Sequence, residues 1–139
     1  MNYRQYSYRN MEAATIIKQL LTRESTSIIT YDYLMVIAET EESKQLLSEV
    51  IQIRRKNDER LKWLFFQLSG QMVTVNQETF EKPDTYKDGI SIKVKRQQRR
   101  LDLLKELFMW ITEVPYRTVV DNIIVEEEWV LEVLIYLER

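Results

Sequence analysis

The sequence predicts an all-α fold: one domain of four helices, paired as two antiparallel hairpins with a long crossover between them. Three observations predict it. The 139 residues include two glycines and two prolines, too little turn chemistry for an all-β fold. Apolar residues recur at steps of three and four through four long runs, which puts them on one face of a helix in each. Between the second and third runs, residues 70–89 carry no helical period and hold Pro83, Asp84 and Gly89.

The first helix is expected over about 10–38, with its seam at Ile17, Leu20, Glu24, Ser27/Ile28, Tyr31, Met35 and Ala38. Before it, residues 1–9 form a Tyr- and Arg-rich arm, suited either to disorder or to packing across the bundle or a partner. The second helix is expected over 43–69, with Ser43 or its acidic neighbours as cap and Gly70 as stop. Its seam is Leu47, Val50, Arg54, Asn57, Leu61, Leu64 and Leu68. The third is expected over 90–112, on Ile90, Val94, Gln97, Leu101, Leu104, Phe108 and Ile111. The fourth follows Pro115, a residue suited to a first helical turn, on Tyr116, Val120, Ile123, Glu127, Val130, Leu134 and Leu137. Short connection, long crossover, short connection is the order of a ferritin-like bundle rather than an up-down-up-down one.

Composition narrows the chemistry. The chain has no cysteine, which removes disulfides, iron–sulfur clusters and thiolate zinc. It has no histidine, hence no imidazole base, no Ser-His-Asp triad and no histidine ligand. A net charge of −2 gives no bulk drive toward nucleic acid, and the basic residues from Lys93 to Arg100 read as a solvated helix face. There is no run long and apolar enough for a membrane span and no apolar signal segment, so a cytoplasmic protein is the expectation. No phosphate-binding glycine loop is present.

Each seam is apolar except near its centre, where Glu24, Arg54, Asn57, Gln97 and Glu127 fall at matching depths. A buried charge must be paired or neutralised, so these groups are expected to meet. Glu24 and Tyr31 stand seven apart in ESTSIITYDYL, and further stretches are YRQYSYRN, FEKPDTYKDG and IIVEEEWVLEVLIYL. With these motifs in this order, nearly the whole chain resembles the rubrerythrin-type branch of the ferritin-like superfamily, and within it members from spore-forming bacteria. The resemblance implies a four-helix bundle that binds two metals at this depth, each hairpin supplying a Glu and a Glu-x-x-His.

Carried onto this sequence, the ligand set fails at most positions. Glu24 is kept, with Tyr31 beside the site. Arg54 and Asn57 stand where the first Glu-x-x-His would be, and Gln97 stands in place of a Glu. Glu127 and Val130 fall on the second Glu-x-x-His, so that histidine is lost; a register shifted by one, onto Glu126 and Trp129, loses it too. The expectation is therefore a non-catalytic structural or interaction protein with no cofactor, its metal position taken by the Arg54 guanidinium between Glu24 and Glu127. Asn57 and Gln97 would complete the hydrogen bonds, and a bound water, a proton, or Arg55 or Lys56 nearby would take the remaining negative charge. The other course for Arg54 is to snorkel to solvent. An alternative function is an oxidase, peroxidase or iron-handling protein holding iron or manganese on Glu24 and Glu127 alone. On the network reading, Arg54→Ala costs about 3–5 kcal/mol.

Trp63, Trp110 and Trp129 read as packing residues, Trp129 with a second option on a dimer face. The off-seam apolar residues Ile29, Val36, Ile53, Phe65 and Phe66 exceed what one seam needs, which points to a homodimer. A protein partner on the outer surface or the arm is the other expectation. Membrane and nucleic-acid partners are not expected. A spore-associated role is what the resemblance adds.

Overall fold

The computed structural model describes residues 3–22, 24–74, 80 and 82–139; of residues 3–7 and 24–27 it describes the backbone alone. Among the described residues there are five helices and no strand: α1 (Tyr3–Thr22), α2 (Glu24–Ile37), α3 (Glu41–Ser69), α4 (Tyr86–Trp110) and α5 (Val114–Glu138). No described helix is long and apolar enough to cross a membrane.

The run expected as the first helix is described as α1 and α2, on either side of residue 23, which lies outside the described residues, and residues 3–9 belong to α1. Helical continuation there brings the Tyr8 and Arg9 side chains onto the end of α4. Tyr8 meets Trp110 edge-on at 5.9 Å, and Arg9 lies over the same ring and donates Nη1 to the Met109 carbonyl at 3.4 Å.

Local chemistry sets the other boundaries. Thr40, not Ser43, caps α3: its hydroxyl accepts from the Ser43 amide at 3.0 Å. Gly70 ends α3 at φ 71°, a left-handed conformation that favours glycine, and its amide bonds back to Phe66. The third run starts earlier than its apolar period suggested, because the Thr85 hydroxyl accepts from Asp88 and opens α4 at Tyr86. Pro115 sits in the first turn of α5, where its missing amide costs nothing.

The buried side chains form two apolar clusters. One joins Ile17, Leu20 and Leu21 of α1 to Leu61 and Leu64 of α3, Leu104 and Leu107 of α4, and Val120 and Ile123 of α5. The other joins Tyr31 and Leu34 of α2 to Leu47 and Val50 of α3, Ile90 and Val94 of α4, and Val130 and Leu134 of α5. The late halves of α3 and α4 thus share a cluster, as do their early halves, so these two helices run in the same direction. The α1–α2 run and α5 run opposite to both. Packing follows the same order: α3 lies against α1, α2 and α5, and α4 lies against α5, α1 and α2, while the backbones of α3 and α4 stay apart among the described residues and meet only through side chains.

The chain between Ser69 and Tyr86 consequently leaves one end of the molecule and arrives at the other. Val73 packs on the first cluster. Phe80 meets Tyr33 edge-on at 6.0 Å, and Lys82 lies over the Tyr33 ring. Gly89 is the point of closest approach: a Cβ there would lie 2.5 Å from Leu34 Cδ2 and 3.1 Å from Pro83 Cγ.

Candidate functional site: a buried Arg–carboxylate layer

Between the two clusters, α3, α4 and α5 each turn a polar stretch inward. On α3, Arg54, Asn57 and Asp58 are spaced three and four apart, one helix face, and all three are buried. On α4, Lys93, Gln97 and Arg100 share a face in the same way. On α5, Glu127 is wholly shielded, Glu126 half-buried and Glu128 exposed, as three consecutive helix residues must diverge.

Glu127 is the hub. Its Oε2 accepts from Asn57 Nδ2 at 2.8 Å. Its Oε1 accepts from Gln97 Nε2 at 2.9 Å and from Arg100 Nε at 3.0 Å, with Arg54 Nη1 at 3.9 Å. Gln97 Nε2 also donates to the Glu127 main-chain carbonyl at 2.9 Å, and Gln97 Oε1 accepts from Arg54 Nη1 at 3.0 Å. Gln97 is thus a relay that joins Arg54 to Glu127 while tying α4 to the α5 backbone. Arg100 reaches on to Asp58, Nη2 to Oδ1 at 3.6 Å. Tyr31, also buried, lies under the cationic side of the layer: its ring centroid is 4.2 Å from Lys93 Nζ and 5.9 Å from Arg54 Cζ.

The electrostatics follow from the contacts. Burial by itself would raise the Glu127 pKa. Arg100 and then Arg54 oppose that, with the hydrogen bonds of Gln97 and Asn57, and hold it at about 2 against an ordinary 4.5. Glu127 is ionised throughout the physiological range. The described buried charges are three cations, Arg54, Lys93 and Arg100, and two anions, Asp58 and Glu127.

Of the residues expected at this depth, the structure brings together Arg54, Asn57, Gln97 and Glu127. Arg54 is 5% exposed and does not snorkel. Val130 is buried one turn on, in the second apolar cluster. The Glu24 side chain lies outside the described residues, so its expected bond with Arg54 does as well. Arg55 and Lys56 do not serve the layer. Both are exposed, and they pair outward: Arg55 with Asp32 at 3.9 Å, Lys56 with Glu126 at 2.9 Å. Arg60 forms a polar collar with them, donating to Asn57 Oδ1 at 3.2 Å and to Glu126 at 3.3 Å.

Three members were missed, and one expectation is overturned. Lys93 and Arg100 are not the solvated surface that their charge run suggests: they are 1% and 5% exposed, while Lys95, Arg96 and Arg99 between them face out. Asp58 was not singled out at all. The signal was spacing: Lys93 and Arg100 lie four before and three after Gln97, and Asp58 lies four after Arg54. A helix facing a packed interior buries a stripe wider than a single seam.

The donor set that the described residues supply at this depth does not fit a metal pair. Two guanidinium groups contact the one carboxylate that the described residues supply from the expected ligands, and both of its oxygens already accept hydrogen bonds. A permanent cation there repels a metal ion by a few kcal/mol even at the effective dielectric of a protein site, about 20. No group of three or more acidic side chains able to hold a metal gathers among the described residues. No family model matches the chain, and no curated protein or solved structure matches it.

Proposed function

We propose that this chain is a non-catalytic structural or interaction protein built as a ferritin-like four-helix bundle of the rubrerythrin type, with an arginine–carboxylate network at the depth where such bundles bind two metals. One observation carries the reading: Glu127, which falls on a ligand position of that family, is shielded from water and saturated by Arg100, Gln97 and Asn57, with Arg54 behind. The parallel course of α3 and α4, with a crossover from one end to the other, supports the bundle assignment. The absence of histidine from the sequence supports the loss of the metal chemistry.

In such a protein the layer is a register device. A purely apolar interior lets helices slide or rotate, whereas a carboxylate that must meet donors from two other helices fixes their axial positions. The test is elemental analysis of the purified chain after incubation with ferrous iron and, separately, with manganese, followed by desalting. The expected result is no retained metal. Near-stoichiometric iron or manganese would contradict the reading and turn attention to oxidase and peroxidase assays.

A further inference from the structure

The outward face of α3 carries a second pattern that the core does not use. Glu49, Gln52, Lys56, Glu59, Trp63 and Phe66 follow steps of three and four, one stripe along the helix. From Gln52 onward the stripe is exposed, and Trp63 and Phe66 are each 46% open to solvent. Of the three tryptophans expected to pack, Trp110 packs on the first cluster, whereas Trp63 touches Tyr116 edge-on at 5.6 Å but leaves half its surface bare, and Trp129 on α5, with its second option of a dimer face, is 36% exposed. Two depressions lie end to end in the groove between α3 and α5. One, of about 420 Å³, is bounded by Glu49, Gln52, Ile53, Lys56 and Trp129. The other, of about 550 Å³, is bounded by Lys56, Glu59, Arg60, Trp63, Val119 and Asn122.

We propose that this face joins two copies of the chain about a two-fold axis, α3 antiparallel to the partner's α3. The argument is charge complementarity. With the axis midway between positions 56 and 59, each Lys56 faces the partner's Glu59, and the two salt bridges are related by the symmetry itself. The same register sets Trp63 against the partner's Gln52, so that the indole enters the depression beside Ile53 and Trp129. A parallel register would place Lys56 on Lys56 and Glu59 on Glu59, a repulsive arrangement. Within one chain Glu59 already bonds Lys62 at 3.2 Å, an exposed pair that gives way or shares at small cost, and Lys56 bonds the half-buried Glu126, which keeps Arg60 at 3.3 Å when Lys56 turns outward. From Glu49 to Phe66 the stripe rises about 26 Å, long enough for a continuous helix–helix seam. The inference rests on the outer surface and is independent of what fills the core.

The test is light scattering coupled to size exclusion over a concentration series, on the full chain and on Lys56→Glu, Glu59→Lys, the double exchange, and Trp63→Ser, with circular dichroism to show that each is folded. The parent is expected at twice the chain mass of 16.9 kDa. Each single exchange sets like charges together in both bridges and is expected to weaken association about tenfold or more, Trp63→Ser likewise, while the double exchange restores it. A parent that stays monomeric at the highest concentration overturns the proposal and leaves the face to a different protein. A dimer that none of the variants weakens, or one that the double exchange fails to restore, overturns it too.

Discussion

Glu127 gives up its water entirely and recovers it as hydrogen bonds from three side chains on two other helices. A carboxyl pKa of about 2, against 4.5 for an unburied group, is the thermodynamic trace of that exchange. The folded-state value is depressed, so the stabilisation is fully present above pH 4.5 and is lost as pH falls toward 2. The gap corresponds to about 3 kcal/mol. Urea unfolding of the parent and of Glu127→Gln as a function of pH should show a difference of about that size at neutral pH, shrinking as the solution is acidified below 4.5. A difference that stays constant over that range would mean that the charge of Glu127 is not what the layer holds. At this scale the sequence was legible where a polar residue interrupts an apolar seam, as at Arg54, Asn57, Gln97 and Glu127. It was not legible at Arg100, which has the same side chain and the same helix as exposed Arg96 and Arg99 and differs from them only in the direction it faces.

The elements are defined more by their ends than by their propensities. Three of the helices begin or end on chemistry that the sequence displays: Thr40 and Gly70 bound α3, Thr85 opens α4, and Pro115 lies in the first turn of α5. Gly89 shows what pattern reading misses within an element. It lies in the first turns of α4, where alanine is the better helix former by about 1 kcal/mol. A methyl group there would press into Leu34, which is fully buried, and Pro83. Gly89→Ala is therefore expected to lower stability by about 1–3 kcal/mol despite the propensity gain, read as a drop in the thermal midpoint. A raised midpoint would show that Leu34 and Pro83 yield freely and that the crossover is not held there.

At the scale of the whole molecule, two apolar clusters stacked end to end are divided by one polar layer, and α3, α4 and α5 each pass through all three zones. The crossover needs this geometry, since a chain that leaves one cluster at Val73 and reaches the other at Pro83 makes α3 and α4 parallel. Fold class and crossover could be anticipated because they depend on period and on the length of an aperiodic stretch. The number of charges in the layer could not, because it depends on how wide a stripe each helix buries once its neighbours are in place. The exposure of Trp63, expected as a packing residue, was not legible for a related reason: period locates a face, but not whether the same chain covers it. The central claim is that Glu127 and its arginines act as one unit that locks three helices together. A double-mutant cycle of Arg100→Met and Glu127→Gln, followed by urea unfolding at neutral pH, tests it most directly. Each single change should cost about 3 kcal/mol or more, since it strands a buried charge, and the pair together should cost little more than either alone, a coupling of about 2 kcal/mol. Costs that simply add, to within about 0.5 kcal/mol, would contradict it.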